Sequence, residues 1–436
     1  MKETIVRFSR DIDFVDKFLI ISVSLIPISL AISIFIADFL ASLSGLILVS
    51  IILQTKNRNI FKLVKKEIIF FFILYLIILV SLVLSDFKNQ SFLSSFFYFR
   101  YFLMSLSVFY LLKKYDFFLS FFYYFFLISI IIVVCDALLQ YFLGFNSFGY
   151  KLVGIEAYDF DHLTGFFNDE KKLGSYLVRF LPLLLGLIYL YKHKLALTLK
   201  YELVILIIIG IVVFLASERT ALFLLLIIYL SYFLLNSKKI YFLSFVLIIF
   251  TFLFSFEKNL SEKYLKSTLV QMGIEESPRP INKDLIRYYS YEHENLSYTG
   301  LINFRNRPLF GSGAKTFFQE CGKYFVKFQY KINYRNNRIV CSTHPHNTYV
   351  QILSETGIFA FLLVFYLFVR SSYINLKIFI TRKRDNLNKA YFFLNLSIII
   401  NIMPLIPSGS FFNNWMCLIM FFPLGFWLYI KNKIVK

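Results

Sequence analysis

Residues 68–84 read IIFFFILYLIILVSLVL, an almost unbroken apolar stretch without a charged side chain. A helix needs about 20 mostly apolar residues to cross a bilayer, so this stretch predicts a transmembrane helix. The strands of an outer-membrane barrel would instead alternate polar and apolar residues. Of the 436 residues, 58% are hydrophobic and 17% are charged, whereas ordinary soluble domains carry about 25% charged residues. This composition excludes a soluble enzyme, a disordered chain and a disulfide scaffold, and it indicates a polytopic membrane protein.

Eleven further apolar runs accompany this one. The twelve runs are 18–36, 39–53, 68–84, 92–112, 117–142, 173–191, 203–216, 221–235, 240–254, 348–369, 391–406 and 415–430. We therefore expect an all-α, polytopic integral membrane protein with about 12 transmembrane helices. The expected division is 1–254 for transmembrane helices 1–9, 255–345 for a large outward loop, and 346–436 for transmembrane helices 10–12.

The basic residues indicate the orientation of the chain. The net charge is +20, from 46 Lys and Arg against 26 Asp and Glu. If the N-terminus lies inside, the inward connections hold 25 of the 46 basic residues, and the short outward turns hold only Lys88 and Arg219. Because basic residues accumulate in short cytoplasmic loops, we expect both termini in the cytoplasm. The positive charge then needs no nucleic-acid partner.

Two outward segments, 144–172 and 255–345, are longer than simple turns. The second holds 14 basic and 8 acidic residues, and its apolar residues recur at near-helical spacings, so we expect short helices at the membrane surface. Loops of this length usually have a function or are disordered. Its excess of positive charge favours an anionic ligand. The alternative is a solvated loop that faces anionic lipid head groups.

The four cysteines fall into two pairs. Cys135 and Cys417 lie inside apolar runs and are most simply core thiols. Cys321 and Cys341 lie in the large outward loop, where disulfides persist. We predict that Cys321 and Cys341 form a disulfide bond.

The segment Cys341-Ser-Thr-His344-Pro345-His346-Asn347 leads directly into the tenth apolar run. Pro345 suits the first turn of a helix, so His346 and Asn347 are predicted at the outward N-terminus of a membrane helix. The helix dipole there attracts anions and keeps an imidazole neutral, which makes His346 a candidate general base. Two alternatives remain open, namely a helix cap with surface histidines and a zinc site of Cys341, His344 and His346.

Arginines near the outward membrane surface form the second signal, since charged side chains are costly to bury there. Arg219 lies in the short connection between the seventh and eighth runs, and three of the arginines in the large loop are further candidates. Guanidinium groups bind phosphate oxygens in a bidentate manner, so a group of them predicts a diphosphate site. The candidates for this site are Arg219, Arg287, Arg305 and Arg307, with Arg179 as a further member.

Two other charged features have plainer interpretations. Arg100 lies within the fourth run and is expected to pair with an acid such as Asp136. Asp159 and Asp161 stand two residues apart in an outward loop. They would bind a divalent ion or, more simply, remain solvated. We expect no metal in the site.

Four motifs, in this order along the chain, resemble those of the O-antigen ligases and the related O-antigen polymerases. The motifs are Gly165-Phe-Phe-Asn-Asp169-Glu170 followed by Leu173-Gly174-Ser-Tyr, Ser217-Glu-Arg219-Thr-Ala, Pro308-Leu-Phe-Gly311-Ser-Gly313, and His346-Asn347 followed after nine residues by Gly357-Ile-Phe-Ala360. Ala360 replaces the last Gly that is usual in the family. The likeness covers most of residues 130–370, with the ligase-related region at about 200–370.

This resemblance implies an inner-membrane glycosyltransferase with a GT-C-like fold, a large periplasmic loop and a periplasmic active site. Such enzymes take a glycan from an undecaprenyl-diphosphate carrier and need no cofactor, metal or nucleotide sugar. Carried over to this sequence, His346 would be the base of an inverting transfer, Arg219 and Arg287 would hold the diphosphate, and Asn347 would orient the histidine or the sugar.

The resemblance leaves the acceptor open. A ligase would use a sugar of the lipid A core in lipopolysaccharide biosynthesis, and a polymerase would use a second lipid-linked glycan. A member of another class, a lipid-linked oligosaccharide flippase, would show internal repeats with broken helices in two halves. The sequence shows no such symmetry, which favours the enzyme.

Overall fold

The computed structural model describes residues 12–55, 59–155, 160–191, 199–236, 264, 268–270, 272, 290–328 and 339–434. These residues are almost entirely helical, as the apolar runs predict. The helices are α1 (Phe14–Ile32), α2 (Ile34–Thr55), α3 (Asn59–Lys62), α4 (Lys65–Leu84), α5 (Lys88–Phe96), α6 (Phe99–Lys114), α7 (Phe118–Leu143), α8 (Leu173–Tyr191), α9 (Leu199–Leu215), α10 (Arg219–Leu235), α11 (Tyr291–Asn306), α12 (Phe317–Phe328), α13 (Thr348–Ile380), α14 (Asn386–Asn401) and α15 (Asn414–Ile434). Between α7 and α8, strands β1 (Val153–Ile155) and β2 (Phe160–His162) pair antiparallel.

Eight helical segments of the described chain are long and apolar enough to cross a membrane, so this is a multi-pass membrane protein. They are Phe14–Ile32, Ile34–Gln54, Lys65–Leu84, Lys88–Lys114, Phe118–Leu143, Leu173–Tyr191, Thr348–Ile380 and Asn414–Ile434. Two shorter apolar helices, Tyr201–Leu215 and Arg219–Leu235, stand beside them. Eleven of the twelve apolar runs overlap described helices, and the run 240–254 lies outside the described residues. The number twelve and the GT-C-like arrangement stay predictions.

The first two helices meet earlier than the apolar runs indicate. The first run was expected to continue to residue 36, but α1 ends at Ile32. Ser33 has an extended backbone (φ −155°, ψ 116°), and α2 begins at Ile34. The Ser33 hydroxyl accepts the backbone N–H of Ile36 at 3.5 Å. A serine that satisfies a free N–H at a helix start competes with helix continuation, and hydropathy alone does not reveal this.

Helix α13 is longer than the tenth apolar run. The run ends at residue 369, whereas the helix continues to Ile380. Ser371, Asn375 and Ile378 are buried and recur at helical spacing. The Asn375 amide also donates to the carbonyl of Phe392 in α14 at 3.1 Å. The helix therefore continues as an amphipathic segment packed on its neighbour.

Helix α8 forms the centre of the bundle. Nearly all of its side chains are buried, and it packs against α14, α7, α9 and α10. By contrast, α4 exposes Phe72, Ile73 and Leu76 on a face that suits lipid. Because protein surrounds α8 on all sides, it can hold Arg179 with only 2% of that residue exposed.

Candidate active site

The histidine motif lies at the start of α13. Asn347 is the N-cap residue, and its Oδ1 accepts the backbone N–H groups of Tyr349 (3.0 Å) and Val350 (3.1 Å). Pro345 therefore precedes the cap, so its expected place in the first turn was wrong. His346 has φ 52°, a left-handed conformation that few non-glycine residues adopt. Its carbonyl accepts the N–H of Ser408 at 2.9 Å, which holds the turn in place.

Two other imidazoles surround His346. The ring centroid of His344 lies 4.1 Å from that of His346, and the ring of His293 lies 5.5 Å away at an angle of 81°. His293 is in the first turn of α11, which crosses the start of α13 closely. A Cβ on Gly300 would lie 2.4 Å from Val350 Cγ1, so only glycine permits this approach. We call His293, His344, His346 and the neighbouring Arg219 the histidine site.

Both ring nitrogens of His344 already have partners. Nε2 lies 3.3 Å from the carbonyl oxygen of Ser408, which can only accept a hydrogen bond, so Nε2 carries the hydrogen. Nδ1 then accepts from the hydroxyl of Thr343 at 3.0 Å. His344 is thus held in one neutral tautomer.

His293 is held in the same way by the cap of its helix. The Ser290 hydroxyl accepts the backbone N–H of His293 at 3.2 Å and lies 2.6 Å from Nδ1. Ser290 is buried, so its hydroxyl hydrogen needs an acceptor, and Nδ1 provides one. In neutral His293 the ring hydrogen therefore sits on Nε2.

His346 differs from its two neighbours. Its ring nitrogens make no hydrogen bond with any residue that the structure describes, and its side chain is half-buried. Burial lowers the pKa of His346, and the charge of Glu292 opposes this shift. Burial and the neighbouring imidazole of His346 lower the pKa of both His293 and His344 to about 4. At neutral pH all three rings are uncharged, and His346 has a nitrogen lone pair that no described residue occupies.

The turn before α10 positions Arg219. Ser217 has φ 55°, and its hydroxyl lies 2.6 Å from Nδ1 of the buried His162. The Glu218 carboxyl accepts the backbone N–H groups of Gly174 (2.7 Å) and Ser175 (3.0 Å), which ties the start of α10 to the start of α8. Arg219 is left exposed and donates to the Thr268 hydroxyl at 3.0 Å.

Arg219 belongs to the same region as the histidines. Its positive charge contributes to the low pKa of His293. Lys171, three residues before Gly174, is also close, since the charges of Glu218 and Arg219 both act on its pKa, which desolvation lowers. The sequence patterns do not point to Lys171 or His293. His293 had one usable signal, because the chain has only 5 histidines and three of them meet here.

The other candidate arginines have separate positions. Arg287 lies outside the described residues. Arg305 is exposed near the end of α11. Arg307 forms an ion pair with Asp86 and donates to the Leu84 carbonyl at 3.1 Å, so its guanidinium faces the turn after α4.

The two arginines inside the bundle are used in packing. Arg179 donates to Ser175 Oγ (3.1 Å), Asn401 Oδ1 (2.8 Å) and the Ile400 carbonyl (3.3 Å), and we leave it out of the proposed site. Arg100 forms the expected ion pair, but its partner is Asp38 (3.0 Å) and not Asp136. Asp136 instead accepts from Asn146 and from the backbone N–H of Ser147.

A disulfide bond joins Cys321 of α12 to Cys341, with their Cα atoms 5.6 Å apart. Cys341 is therefore no thiolate ligand, and the zinc site of Cys341, His344 and His346 was wrong. Among the described residues, no group of three or more His, Cys, Asp or Glu side chains could hold a metal ion. Asp159 lies outside the described residues, so the pair with Asp161 stays untested.

The glycine motifs of the sequence meet at a break in α13. Gly357 has φ 77°, and a Cβ there would lie 2.1 Å from the Leu309 carbonyl oxygen. A Cβ on Gly311 would lie 2.3 Å from the backbone of Glu355. The backbone of the segment that begins at Pro308 is hydrogen-bonded to this break, from Ile358 N–H to the Pro308 carbonyl (2.9 Å) and from Gly313 N–H to the Glu355 carbonyl (2.8 Å).

The buried Glu355 side chain completes this contact. Its carboxylate accepts the backbone N–H groups of Lys315 (3.0 Å) and Phe317 (3.1 Å) and the amide of Gln351 (3.0 Å). We call Gly311, Gly357 and Glu355 the glycine contact. It fixes the start of α12 on the helix that begins beside His346.

Part of the chain matches a known protein family. The family model described as O-antigen ligase matches residues 204–365, which include Arg219, all three histidines and the glycine contact. No curated protein matches the chain at a significant level. The match confirms the resemblance to the O-antigen ligase and polymerase superfamily. Residues 204–365 of this multi-pass membrane protein are thus similar to the O-antigen ligase family, and the match supports a function of the ligase or polymerase type in surface-polysaccharide biosynthesis.

Proposed function

We propose that this protein is an inner-membrane glycosyltransferase that moves a glycan from undecaprenyl diphosphate to a sugar hydroxyl on the periplasmic side. The observation that carries the proposal is the imidazole of His346, whose two ring nitrogens have no hydrogen-bond partner among the described residues, beside the cationic turn of Arg219. A transfer from a diphosphate carrier needs both a base for the acceptor and a cation for the leaving group.

The chemistry assigns one role to each side chain. The acceptor hydroxyl loses its proton to His346, and its oxygen attacks the anomeric carbon. The bond from that carbon to the diphosphate oxygen breaks with inversion, and the leaving diphosphate keeps the electron pair. Arg219 stabilises the charge that develops there, and Arg287 is the second proposed diphosphate ligand. Asn347 is used by the helix cap through Oδ1, so the proposed substrate contact is its amide nitrogen.

The backbone adds to the electrostatic support. Helices α8, α10, α11 and α13 all begin around the histidine site. Each helix N-terminus carries about half a positive charge. Such a group of helix starts favours an anionic substrate, and it disfavours protonation of the imidazoles, so the base stays neutral at pH 7.

The membrane orientation belongs to this proposal. With the N-terminus inside, the short loops rich in basic residues face the cytoplasm and the histidine site faces the periplasm. Fusions of alkaline phosphatase and of a fluorescent protein to the C-terminus would distinguish the two orientations. Phosphatase activity at the C-terminus would contradict the proposed orientation.

The decisive experiment uses purified protein with a defined glycan on undecaprenyl diphosphate. Two acceptors are compared, a lipid A core saccharide and a second lipid-linked glycan, each with and without chelator. His346→Ala should lower the transfer rate by roughly 10²- to 10⁴-fold, the range for loss of a general base. Its elution from a sizing column and its unfolding temperature should match the unchanged protein.

The outcomes separate the proposals. Near-normal transfer by His346→Ala would contradict the assignment of the base, and a requirement for divalent ion would contradict the metal-independent reaction. Transfer to the core saccharide alone defines a ligase, and transfer to the lipid-linked glycan alone defines a polymerase. Movement of the lipid across vesicles without any transfer would instead support a flippase.

A further inference from the structure

The large outward segment contributes the imidazole of His293, which can act only as a hydrogen-bond donor when it is neutral. His293 lies in the first turn of α11, half-buried, and its ring faces that of His346 edge to face at 5.5 Å. Its Nδ1 is occupied by the Ser290 hydroxyl at 2.6 Å. Neutral His293 therefore has no free lone pair on either nitrogen, so it cannot take the proton of an acceptor hydroxyl.

The remaining polar group of this ring is the N–H at Nε2. It makes no hydrogen bond with any residue that the structure describes. Nδ1 and Nε2 lie on different edges of the ring, so Nε2–H points away from Ser290, and the ring itself lies 5.5 Å from that of His346 and within range of the charge of Arg219. A half-buried N–H in such a place needs an acceptor.

The charges around His293 select the kind of acceptor. Arg219 is close enough for its charge to act on His293, and Lys171 is near Arg219. Glu292 is the acidic neighbour on the same helix. An oxygen placed between a guanidinium group and an N–H donor is best satisfied when it is negatively charged. The leaving diphosphate provides such an oxygen.

We propose that His293 contacts the substrate and donates a hydrogen bond from Nε2 to the leaving diphosphate, beside Arg219. This inference rests on the function proposed above. It divides the histidines into three roles: His346 accepts the proton, His293 donates to the diphosphate, and His344 supports His346 through its bonds to Thr343 and Ser408.

Two substitutions of His293 test the role of the N–H group. His293→Gln places an amide N–H near the position of Nε2, and His293→Leu removes the donor at similar volume. The binding probes are undecaprenyl diphosphate and undecaprenyl monophosphate without glycan, in detergent. A hydrogen bond to a charged group contributes about 1.5–3 kcal/mol, which corresponds to roughly 10- to 150-fold in affinity.

The expected result is a selective loss. His293→Leu should weaken diphosphate binding by that factor and monophosphate binding by much less, whereas His293→Gln should stay within about fivefold of the unchanged protein. A purely structural role of His293 would lower both affinities together. If the leucine variant does not fold, His293→Asn replaces it, because its shorter amide reaches the position of Nδ1 and not that of Nε2.

The controls separate this inference from the proposed function. Arg219→Ala should weaken binding of both lipids. If His293→Leu keeps the diphosphate preference while Arg219→Ala and His346→Ala show their expected losses, the role of His293 is wrong and the proposed function stands. If the unchanged protein neither binds the diphosphate nor transfers glycan, the proposed function itself is wrong.

Discussion

The histidine site and the glycine contact both adjoin α13, at His346 just before the helix begins and at Gly357 within it, and they use polar groups in opposite ways. At the glycine contact the Glu355 carboxylate has three donors, and the Gly313 and Ile358 N–H groups each have a carbonyl partner. At the histidine site, the nitrogens of His346 and Nε2 of His293 have no hydrogen-bond partner among the described residues.

This difference shows where a ligand would bind. Buried polar groups that satisfy one another specify a structure and offer nothing to a substrate. Polar groups held in fixed orientations without a partner are ready for one. One sequence motif runs from His346 to Ala360. His346 at its start belongs to the histidine site, which we call the chemical end, and Gly357 belongs to the glycine contact, which we call the packing end. Substitutions at the chemical end should therefore lower the transfer rate, and substitutions at the packing end should lower stability.

The largest expected effect is at the packing end. Gly357→Ala would place a Cβ 2.1 Å from the Leu309 carbonyl oxygen and impose φ 77° on a side chain that disfavours it. The atoms that this Cβ would meet belong to the backbone of Leu309 and Phe310, so they cannot move aside at low cost. We expect a severe loss of folded protein, measured by fluorescence-detected size-exclusion chromatography and by the unfolding temperature in detergent.

Gly322→Ala is the matched control for this substitution. Gly322 lies in α12, and a Cβ there would meet no atom within 4 Å. Alanine is the better helix former by about 1 kcal/mol, so this variant should be as stable as the unchanged protein or more so. Equal stability of the two alanine variants would show that the close backbone approach at Gly357 is not needed for folding.

The second prediction compares an exposed and a buried arginine. Arg219→Lys keeps the positive charge but loses the bidentate donor geometry of the guanidinium group. We therefore expect the transfer rate to fall by roughly 10- to 150-fold, which corresponds to the loss of one hydrogen bond to a charged group. The unfolding temperature should change little. Arg179→Lys breaks bonds to Ser175 and Asn401 within the bundle. It should lower the unfolding temperature and leave the KM for the lipid donor unchanged.

The opposite pattern would reverse the assignment of these arginines. A lower unfolding temperature with normal transfer in Arg219→Lys would make Arg219 a packing residue. A raised KM in a stable Arg179→Lys variant would return Arg179 to the diphosphate site.

Much of the fold follows from the sequence because lipid imposes a simple rule. A run of about 20 apolar residues has few other stable conformations in a bilayer, so eleven apolar runs overlap described helices. The motifs also pointed to Arg219 and His346, which both lie within the residues that the family model matches. The cap at Asn347 agrees with the general preference of helix N-termini for asparagine.

The remaining features depend on contacts between distant residues. His293 meets His346 because Gly300 lets α11 approach Val350, and spacing along the chain does not reveal that crossing. Arg100 reaches Asp38 because α2 and α6 are neighbours in the bundle, whereas a choice among acids from sequence alone led to Asp136. Gly311 and Gly357 belong to separate sequence motifs, and their spacing along the chain does not reveal that the backbones of the two segments are in contact.

The third prediction concerns the pH dependence of the chemical end. Burial lowers the pKa of His346 below the usual value of 6.5, and the base must be neutral to act. The transfer rate should therefore fall about tenfold per unit once the pH is below the pKa of His346. A profile of kcat/KM against pH measures this fall, which is the acidic limb of the profile.

Glu292 provides a check on the cause of this limb. Its negative charge favours the imidazolium form of His346 and so raises the pKa of that group. Glu292→Gln removes this charge, so the acidic limb should move to lower pH while the rate at pH 8 changes little. A limb that stays in place would show that another group limits the rate.

The smallest expected effect joins the two ends, through the disulfide between Cys321 and Cys341. Cys341 stands three residues before His344, so the bridge ties the histidine segment to α12. A bridge across a short loop contributes about 3 kcal/mol to stability, and Cys341→Ser should lower the unfolding temperature. Transfer should fall only a few-fold, because Glu355 still holds the start of α12 and Ser408 still holds the turn at His346. Cys135→Ser, an exposed free thiol, is the control and should change neither quantity. A large loss of transfer in a stable Cys341→Ser variant would mean that the bridge, and not the glycine contact, sets the position of the histidines.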